Sequence, residues 1–311
     1  MDVNQPVDPI VAAAVAAFPT APLDAQRLPE LRTARAMMEA VPLSDGVVRT
    51  DHDIPGRPGD PAVKVRVHRA VSATAPRPAV ISLHGGGLIV GTYDQDDPLW
   101  DRWCPRLDVV AVSVDYRLAP ETPYPGPLED CYAALCWTSE HADELGIDPT
   151  RIGVRGVSAG GGLAAALALL ARERGGPALA FQLLDCPMLD DRQITASSQL
   201  DGLLVWRRES NTFGWQSYLG DLYGTEAVPA TAAPARATDL AGLPPAFVSV
   251  GSVDGFRDEN IDYALRLNQA GVPCELHVYP GAPHGYAMAL TAPVTRRAMH
   301  DMYSWLERQV Q

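Results

Sequence analysis

A serine stands in a glycine-rich pattern that could make it a nucleophile. Residues 156–160, Gly-Val-Ser-Ala-Gly, have the form G-x-S-x-G and lie between an apolar run, 152–157, and an alanine- and leucine-rich segment, 159–172. A nucleophile at a sharp strand-to-helix turn adopts strained dihedral angles, and the turn closes only if its neighbours lack side chains. The Ser158 hydroxyl would stand beside the Ala159 N–H, at a helix N-terminus that favours negative charge. The alternative is a glycine-rich turn without chemistry.

A second glycine-rich segment could stabilise that negative charge. Residues 84–87, His-Gly-Gly-Gly, follow another short apolar run, 79–83. Three consecutive glycines can present N–H groups without obstruction, as an oxyanion hole requires. A flexible turn and a phosphate loop are alternatives, but no Gly-Lys-Ser/Thr follows, so the Walker pattern is absent. We expect His84 to be structural and to fix this loop.

A serine nucleophile needs a general base, and the chain has seven histidines. His284 lies in a loop, 280–285, just after a predicted strand, and such loops at strand ends are where open α/β sheets build their sites. The others lie in polar or solvent-facing surroundings, inside a predicted strand, in the last helix or in the glycine loop: His52, His68, His141, His277, His300 and His84. We therefore expect His284 to be the base, with a solvated loop histidine as the alternative.

The third member must be a carboxylate that orients the imidazole. Asp254 follows the predicted strand 246–250 and precedes His284 by one helix and one strand, which suits neighbouring positions in a sheet. Asp258 and Glu259 are nearby rivals, but they resemble first-turn helix acids that complement the helix dipole. The expected order Ser158, Asp254, His284 is that of the α/β-hydrolase arrangement.

The elements that must position these residues alternate along the chain. Apolar patterns predict strands at 63–67, 79–83, 109–114, 152–157, 178–184, 246–250 and 275–279, and helices at 128–145, 159–172, 259–270 and 296–309. This alternation predicts an α/β fold with a mostly parallel sheet and helices on both faces.

Two segments break the alternation, and long excursions of this kind are usually functional. We expect residues 1–45 and 190–240 to form two cap segments, and residues 46–189 and 241–311 to form the two parts of the core. The second cap segment holds Trp206, Trp215 and Tyr218. These aromatic residues could line a pocket for the substrate, or they could pack the cap onto the body.

Composition excludes several classes of function. The chain has 311 residues, a formal net charge of −13 and a single lysine, Lys64, so it should not bind nucleic acid or an anionic membrane. No apolar run reaches the roughly 18–20 residues that a bilayer span needs. Residues 1–4 carry no positive charge, so no signal peptide is expected. Five scattered cysteines without a CxxC pair favour reduced thiols in the cytoplasm, and neither disulfides nor a zinc site.

The chain resembles the hormone-sensitive-lipase-like carboxylesterases, the bacterial family IV of the α/β-hydrolase superfamily with an HGGG signature. Six short segments over residues 60–310 match in order and spacing: 84–87, Asp-Tyr-Arg-Leu-Ala-Pro-Glu at 115–121, 156–161, Leu-Pro-Pro-Ala at 243–246, Asp254 in its turn, and His-Gly-Tyr at 284–286. The resemblance implies an eight-stranded sheet with a helical cap. It assigns the oxyanion hole to the N–H groups of Gly86, Gly87 and Ala159, and a structural part in the motifs to His84, Gly85, Gly156 and Gly160.

The sequence departs from the family pattern at three places. Val157 stands where the family usually has Asp or Thr, Leu88 stands where an aromatic residue is common, and Gly255-Phe256 replaces Pro-Leu. None belongs to the triad, so we expect catalysis to be kept and the substrate pocket to differ.

The resemblance implies a serine carboxylesterase that acts on short- to medium-chain esters and needs no metal or organic cofactor. An amidase or another acyl hydrolase could use the same residues. A non-catalytic receptor of this fold would lack the triad histidine, whereas His284 is present. The expected partner is a small-molecule ester. If 275–279 is an edge strand, it can pair with a second copy, so a homodimer is compatible with the sequence.

Overall fold

The computed structural model describes residues 6–17, 21–37, 42, 44–72 and 76–311. The sequence-based statement about residues 1–4, and part of the expected cap segment 1–45, lie outside the described residues. None of the helices in these ranges is both long and apolar enough to cross a membrane.

One mixed sheet organises the molecule. Its eight strands are β1 (Val47–Ile54), β2 (Val63–Ala70), β3 (Arg77–Leu83), β4 (Val110–Asp115), β5 (Ile147–Val157), β6 (Gln182–Asp185), β7 (Ala246–Gly251) and β8 (Cys274–Tyr279). They lie in the order β1-β2-β4-β3-β5-β6-β7-β8. The pairs β1–β2 and β2–β4 are antiparallel and the others are parallel. The predicted α/β class and the mostly parallel eight-stranded sheet are confirmed.

Helices cover both faces of the sheet. They are α1 (Pro9–Val15), α2 (Leu28–Ala36), α3 (Asp97–Leu107), α4 (Gly126–Glu140), α5 (Ala142–Leu145), α6 (Ala159–Arg174), α7 (Arg208–Leu219), α8 (Arg257–Gln269) and α9 (Pro293–Val310). Side chains of α4, α6 and α8 join the core on one face, and those of α3 and α9 join the core on the other. Every residue of β3 and β7 is buried, as strands between two helical layers must be.

Strand β1 and helices α3 and α7 are among the elements that were not predicted, and the reasons for β1 and α3 can be identified. Strand β1 is an edge strand whose middle residues, Arg-Thr-Asp-His-Asp, are all polar. Its sequence therefore lacks the alternation of apolar and polar residues that predicts a strand. Helix α3 carries one proline in its first turn and another, Pro105, in its interior, and prolines usually argue against a helix. The predicted strand 178–184 is observed only at Gln182–Asp185.

His68 lies in polar surroundings, as expected, but its side chain is fully buried in β2. Its Nε2 lies 3.2 Å from Oδ1 of Asp97, which is also buried and pairs with Arg49 and Arg66. His68 therefore belongs to a buried ionic cluster and lies outside the region of Ser158.

The two segments outside the alternation contact the carboxyl end of the sheet. The Asp8 N–H, just before α1, donates to the Gly281 carbonyl in the loop that leads to His284. The Leu23 N–H donates to Ser210 Oγ in α7, which joins the two segments to each other. These contacts place residues of both segments near the loops that carry the candidate site.

Candidate active site

Ser158 occupies the turn between β5 and α6 with φ 55° and ψ −120°. Such a positive φ is strained for a residue that has a side chain. Three backbone hydrogen bonds hold it: the Ser158 N–H donates to the Asp185 carbonyl (2.8 Å), and the Ser158 carbonyl accepts from the N–H groups of Gly162 (3.0 Å) and Met188 (3.0 Å). The surrounding strands therefore force the hydroxyl to project above the carboxyl end of β5.

Two glycines allow this turn to close. A Cβ at Gly156 would lie 2.0 Å from the Gly160 carbonyl oxygen, and a Cβ at Gly160 would lie 2.1 Å from that of Leu83. Both distances are shorter than any side chain tolerates. Close packing thus explains why the G-x-S-x-G pattern has glycine at both positions. The serine between them directs its hydroxyl toward the site.

His284 follows β8 and reaches Ser158 across the loops. Its Nε2 lies 2.9 Å from Ser158 Oγ, and its Nδ1 lies 2.8 Å from Asp254 Oδ2. A carboxylate only accepts hydrogen bonds, so Nδ1 carries the proton and Nε2 is left free to accept one from the serine hydroxyl. This is the tautomer that a general base acting on Ser158 needs.

Asp254 is the carboxylate that contacts the imidazole. Its second oxygen, Oδ1, accepts the Phe256 N–H at 2.9 Å, so the turn itself orients the side chain. The rivals have other partners: Asp258 accepts from the Ser197 N–H and pairs with Arg257. Glu259 is buried, and it accepts the N–H groups at positions 189 and 190. Within the described part of the chain, neither rival forms a hydrogen bond or an ion pair with His284.

The pKa of His284 lies above its ordinary value of 6.5. Burial of the ring acts to lower this pKa. The negative charge of Asp254 and its hydrogen bond to Nδ1, together with the charge of Asp185, outweigh burial and raise it. An imidazolium formed at this position is therefore stabilised.

The glycine loop after β3 lies beside Ser158. Gly86 has φ 129° and Gly87 has φ 60°, and a Cβ at Gly86 would lie 2.0 Å from the Val90 carbonyl oxygen. Ala159 is the first residue of α6, where an N–H has no partner within the helix. The loop and the helix end can thus offer N–H groups to a negative oxygen on a substrate at Ser158.

His84 supports this loop from below. Its ring is buried and stacks on Tyr116 with 4.1 Å between ring centroids, and its Nδ1 lies 2.9 Å from the Gly85 carbonyl oxygen. Burial lowers the pKa of His84 to about 4. The ring is therefore neutral near neutral pH. It holds the backbone of the glycine loop through the Gly85 carbonyl, and it forms no hydrogen bond with Ser158 in the described structure.

The three departures from the family pattern lie around the site. Leu88 is buried with φ 68°, and its carbonyl accepts the Ala119 N–H. The carbonyl of Val157 lies 3.2 Å from where a Cβ of Gly85 would stand, so this residue packs under the glycine loop. The ring of Phe256 meets that of His284 edge-on at 5.1 Å.

A buried carboxyl group next to the site was not predicted from the sequence. Asp185, at the end of β6, accepts hydrogen bonds at Oδ1 from Ser249 Oγ (2.8 Å) and the Tyr286 hydroxyl (3.4 Å). Burial raises the pKa of Asp185. An acid at the end of a buried strand could have signalled it, since a charge is rarely placed there without a function or a partner.

One group of side chains near the site has metal-ligand chemistry. Cys186, Asp254 and His284 each place a ligand atom within 4.8 Å of the other two, and all three are buried. Burial raises the pKa of the Cys186 thiol well above its ordinary value, which opposes the thiolate that a metal needs. The His284 and Asp254 atoms already share a hydrogen bond, so this geometry fits a His–Asp pair better than a metal centre.

Comparison with known proteins agrees with this chemistry. A family described as the alpha/beta hydrolase fold matches residues 80–288. The carboxylesterase NlhH of Mycobacterium tuberculosis is 37% identical over 296 residues, which cover 94% of this chain and 92% of that protein. The arylesterase of Saccharolobus solfataricus is 31% identical over 260 residues, covering 81% and 80%. A solved bacterial heroin esterase is 43% identical with a TM-score of 0.93, covering 98% of both chains.

Proposed function

The chain belongs to the hormone-sensitive-lipase-like carboxylesterases of the α/β-hydrolase superfamily, and from this premise we propose that it hydrolyses short- to medium-chain carboxylic esters through an acyl-enzyme on Ser158. It is a carboxylic ester hydrolase. The observation that carries the proposed mechanism is the continuous hydrogen-bonded line from Ser158 Oγ through the His284 ring to Asp254.

In the first half of the reaction, Ser158 Oγ attacks the ester carbonyl while His284 Nε2 takes the hydroxyl proton. The N–H groups of Gly86, Gly87 and Ala159 donate to the oxyanion, an effect worth roughly 2.7–4 kcal/mol per donor in other enzymes. The protonated His284 then gives its proton to the alcohol, which leaves.

In the second half, water takes the place of the alcohol. His284 removes a proton from it, the hydroxide adds to the acyl carbonyl, and Ser158 leaves with that proton as the acid is released. Asp254 stabilises the imidazolium in both halves without taking a proton. The mechanism that we propose uses no metal or organic cofactor.

The proposed acyl-chain preference rests on Trp206. A Cβ at Gly87 would lie 2.1 Å from Trp206 Cη2, so the indole packs directly against the glycine loop beside Ser158. Trp206 Nε1 donates to Asn211 Oδ1 at 3.1 Å, which holds the ring in place. Trp215 and Tyr218, in contrast, are buried in the core, so packing explains them.

Replacing Trp206 tests this preference. We expect Trp206→Ala to raise kcat/KM for octanoate relative to acetate para-nitrophenyl esters by about tenfold, because added methylenes gain room. A series of acyl lengths measures this. Trp137→Ala removes another half-buried tryptophan, which lies on α4 and contacts His52 and His141, and should leave the series unchanged. An unaltered series in Trp206→Ala would show that this ring only packs.

The acid limb of the pH profile tests His284. Protonated His284 cannot accept the Ser158 proton, so activity is lost as the pH falls through the His284 pKa. Because that pKa is raised, we expect the midpoint of kcat/KM for a neutral ester to lie above 6.5. His84, with a pKa of about 4, does not titrate in this range. A flat profile down to about pH 4 would contradict histidine as the base.

The amidase alternative uses the same side chains and differs in the leaving group. Para-nitrophenyl esters and para-nitroanilides with the same acyl group separate the two activities, because an amine needs protonation to leave and a phenolate does not. The relatives named arylesterase and heroin esterase favour the ester as the substrate to test first.

We also propose that segments 1–45 and 190–240 cap the site, between core parts at 46–189 and 241–311. The contacts at Gly281 and Ser210 support this. Free cysteines support a cytoplasmic location. A homodimer through β8 is supported by the place of that strand at the sheet edge, where Leu276 and Val278 are exposed.

A further inference from the structure

A narrow cleft opens beside the proposed triad. Trp206 lines it on the side of the glycine loop, and Phe256 lines it on the side of His284. Its empty space is about 240 Å³, including the part that is open to solvent. A slender or flat substituent could enter this cleft while the ester to which it is attached lies at Ser158.

Two arginines without a partner line the same cleft. Among the described residues, no side chain or carbonyl pairs with the guanidinium group of Arg207 or Arg208. Nearby arginines in this acidic chain do pair: Arg192 with Asp190 (2.7 Å) and Arg236 with Asp191 (2.6 Å). The contrast leaves two guanidinium groups at the cleft without an ion-pair partner among the described residues, although Asp254 lines the cleft and Glu209 lies in the first turn of α7.

Both arginines lie at the N-terminus of a helix, where the lack of an ion-pair partner is more unfavourable than elsewhere. Arg207 is the N-cap of α7 and Arg208 is its first residue, and no side chain caps this helix. The N-terminus of a helix already carries partial positive charge, so cations there are unfavourable unless an anion accompanies them. Asp254 also lines the cleft, but its two oxygens are engaged by Phe256 and His284.

A buried amide adds an independent observation. Gln193 lines the cleft with only 8% of its surface exposed, and its Oε1 is buried without a hydrogen-bond partner. Its Nε2 donates to Thr212 Oγ1 at 2.9 Å. A hydroxyl can also donate, so a flipped amide would keep the contact with Thr212 and turn Nε2 to the unpartnered side. The cleft would then offer an amide donor as well as two guanidinium groups.

We propose that this cleft binds a carboxylate substituent of the ester substrate, so that the enzyme prefers esters that carry a negative charge on their acyl or alcohol part. The guanidinium groups of Arg207 and Arg208 donate to the carboxylate, and Gln193 completes the site. This inference rests on the proposed function and specifies its substrate class.

Two pairs of substrates test the preference and locate the charge. Para-nitrophenyl hemisuccinate and its carboxamide analogue differ only in the charge of the acyl part. Para-acetoxybenzoate and para-acetoxybenzamide differ only in the charge of the alcohol part. At low ionic strength we expect kcat/KM to favour the carboxylate about tenfold in at least one pair, as a charge-assisted hydrogen bond would, and to favour it less at high salt.

Variants then assign the preference to the arginines. The double variant Arg207→Gln/Arg208→Gln should bring the ratio of kcat/KM for the carboxylate to kcat/KM for the carboxamide to about one. The double variant Arg207→Lys/Arg208→Lys keeps the charge and should retain part of the preference for the carboxylate. Arg296→Gln changes an exposed arginine on α9 and should leave the ratio as in the wild type. A wild-type ratio of one in both pairs, or a full preference in the double Gln variant, would overturn the proposal. Hydrolysis of the neutral carboxamides that still required Ser158 would leave the proposed function intact.

Discussion

Ser158→Ala is expected to lower kcat for a para-nitrophenyl ester by at least about 10⁴-fold, because removal of the nucleophile leaves only binding and oxyanion stabilisation. A fluorophosphonate probe should label the wild type on the peptide that contains Ser158 and should not label the variant. Alanine keeps the Cβ and the same backbone, so circular dichroism and the melting temperature should stay close to those of the wild type.

Two outcomes would contradict this expectation. Near-normal turnover by a folded Ser158→Ala variant would remove Ser158 from the mechanism. Probe attachment to another residue of the wild type would do the same and would identify the actual nucleophile. A variant that lost its fold would be replaced by Ser158→Cys, whose thiol keeps a nucleophile in place and should still be modified covalently by a thiol-reactive ester analogue.

Asp254→Asn should lower kcat about 10³–10⁴-fold while the protein remains folded. The asparagine amide can donate to His284 Nδ1, which favours the tautomer with its proton on Nε2. That tautomer donates to Ser158 where it should accept. The loss of the negative charge also removes the interaction that raises the pKa of His284, so the acid limb of the remaining activity should move to lower pH.

The matched control is Asp258→Asn, four residues away on α8. Asp258 pairs with Arg257 and accepts the Ser197 N–H, so its loss should cost some stability of the nearby loop and leave kcat within about twofold. The two variants compared by kcat, pH profile and thermal melting separate an orienting carboxylate from a structural one. A large loss in Asp258→Asn with a small loss in Asp254→Asn would transfer the role to Asp258.

The parts of the fold that could be predicted from the sequence are those with a local signal. Strands β3 and β7 are apolar throughout because both faces are covered, and such runs are visible without knowledge of the fold. Strand β1 has no such signal because it is an edge strand whose middle residues face solvent. The buried pair of His68 and Asp97 also has none, since 28 residues separate its members in the chain and only the register of β2 beside α3 brings them together.

The residues of the candidate site also differ in whether a local sequence signal identifies them. Ser158 and the glycine loop stand in short motifs, and His284 stands in a loop after a predicted strand, so each could be named from local sequence. Asp254 is preferred to Asp258 because Asp258 resembles a first-turn helix acid, and the structure places Asp258 in the first turn of α8. The cleft with Arg207 and Gln193 could not be predicted, because residues 190–240 have no period and are organised by contacts with distant parts of the chain.

The positive φ of Ser158 favours catalytic activity at the expense of the stability of the fold. A conformation of this kind costs on the order of 1–3 kcal/mol, which is a substantial share of the small margin by which a domain of ordinary stability stays folded. The neighbouring strands meet that cost every time the chain folds, whether or not a substrate ever arrives. Efforts to make this protein more heat-resistant should therefore strengthen regions remote from the turn between β5 and α6, since relaxing that turn would gain stability only by misaligning the Ser158 hydroxyl.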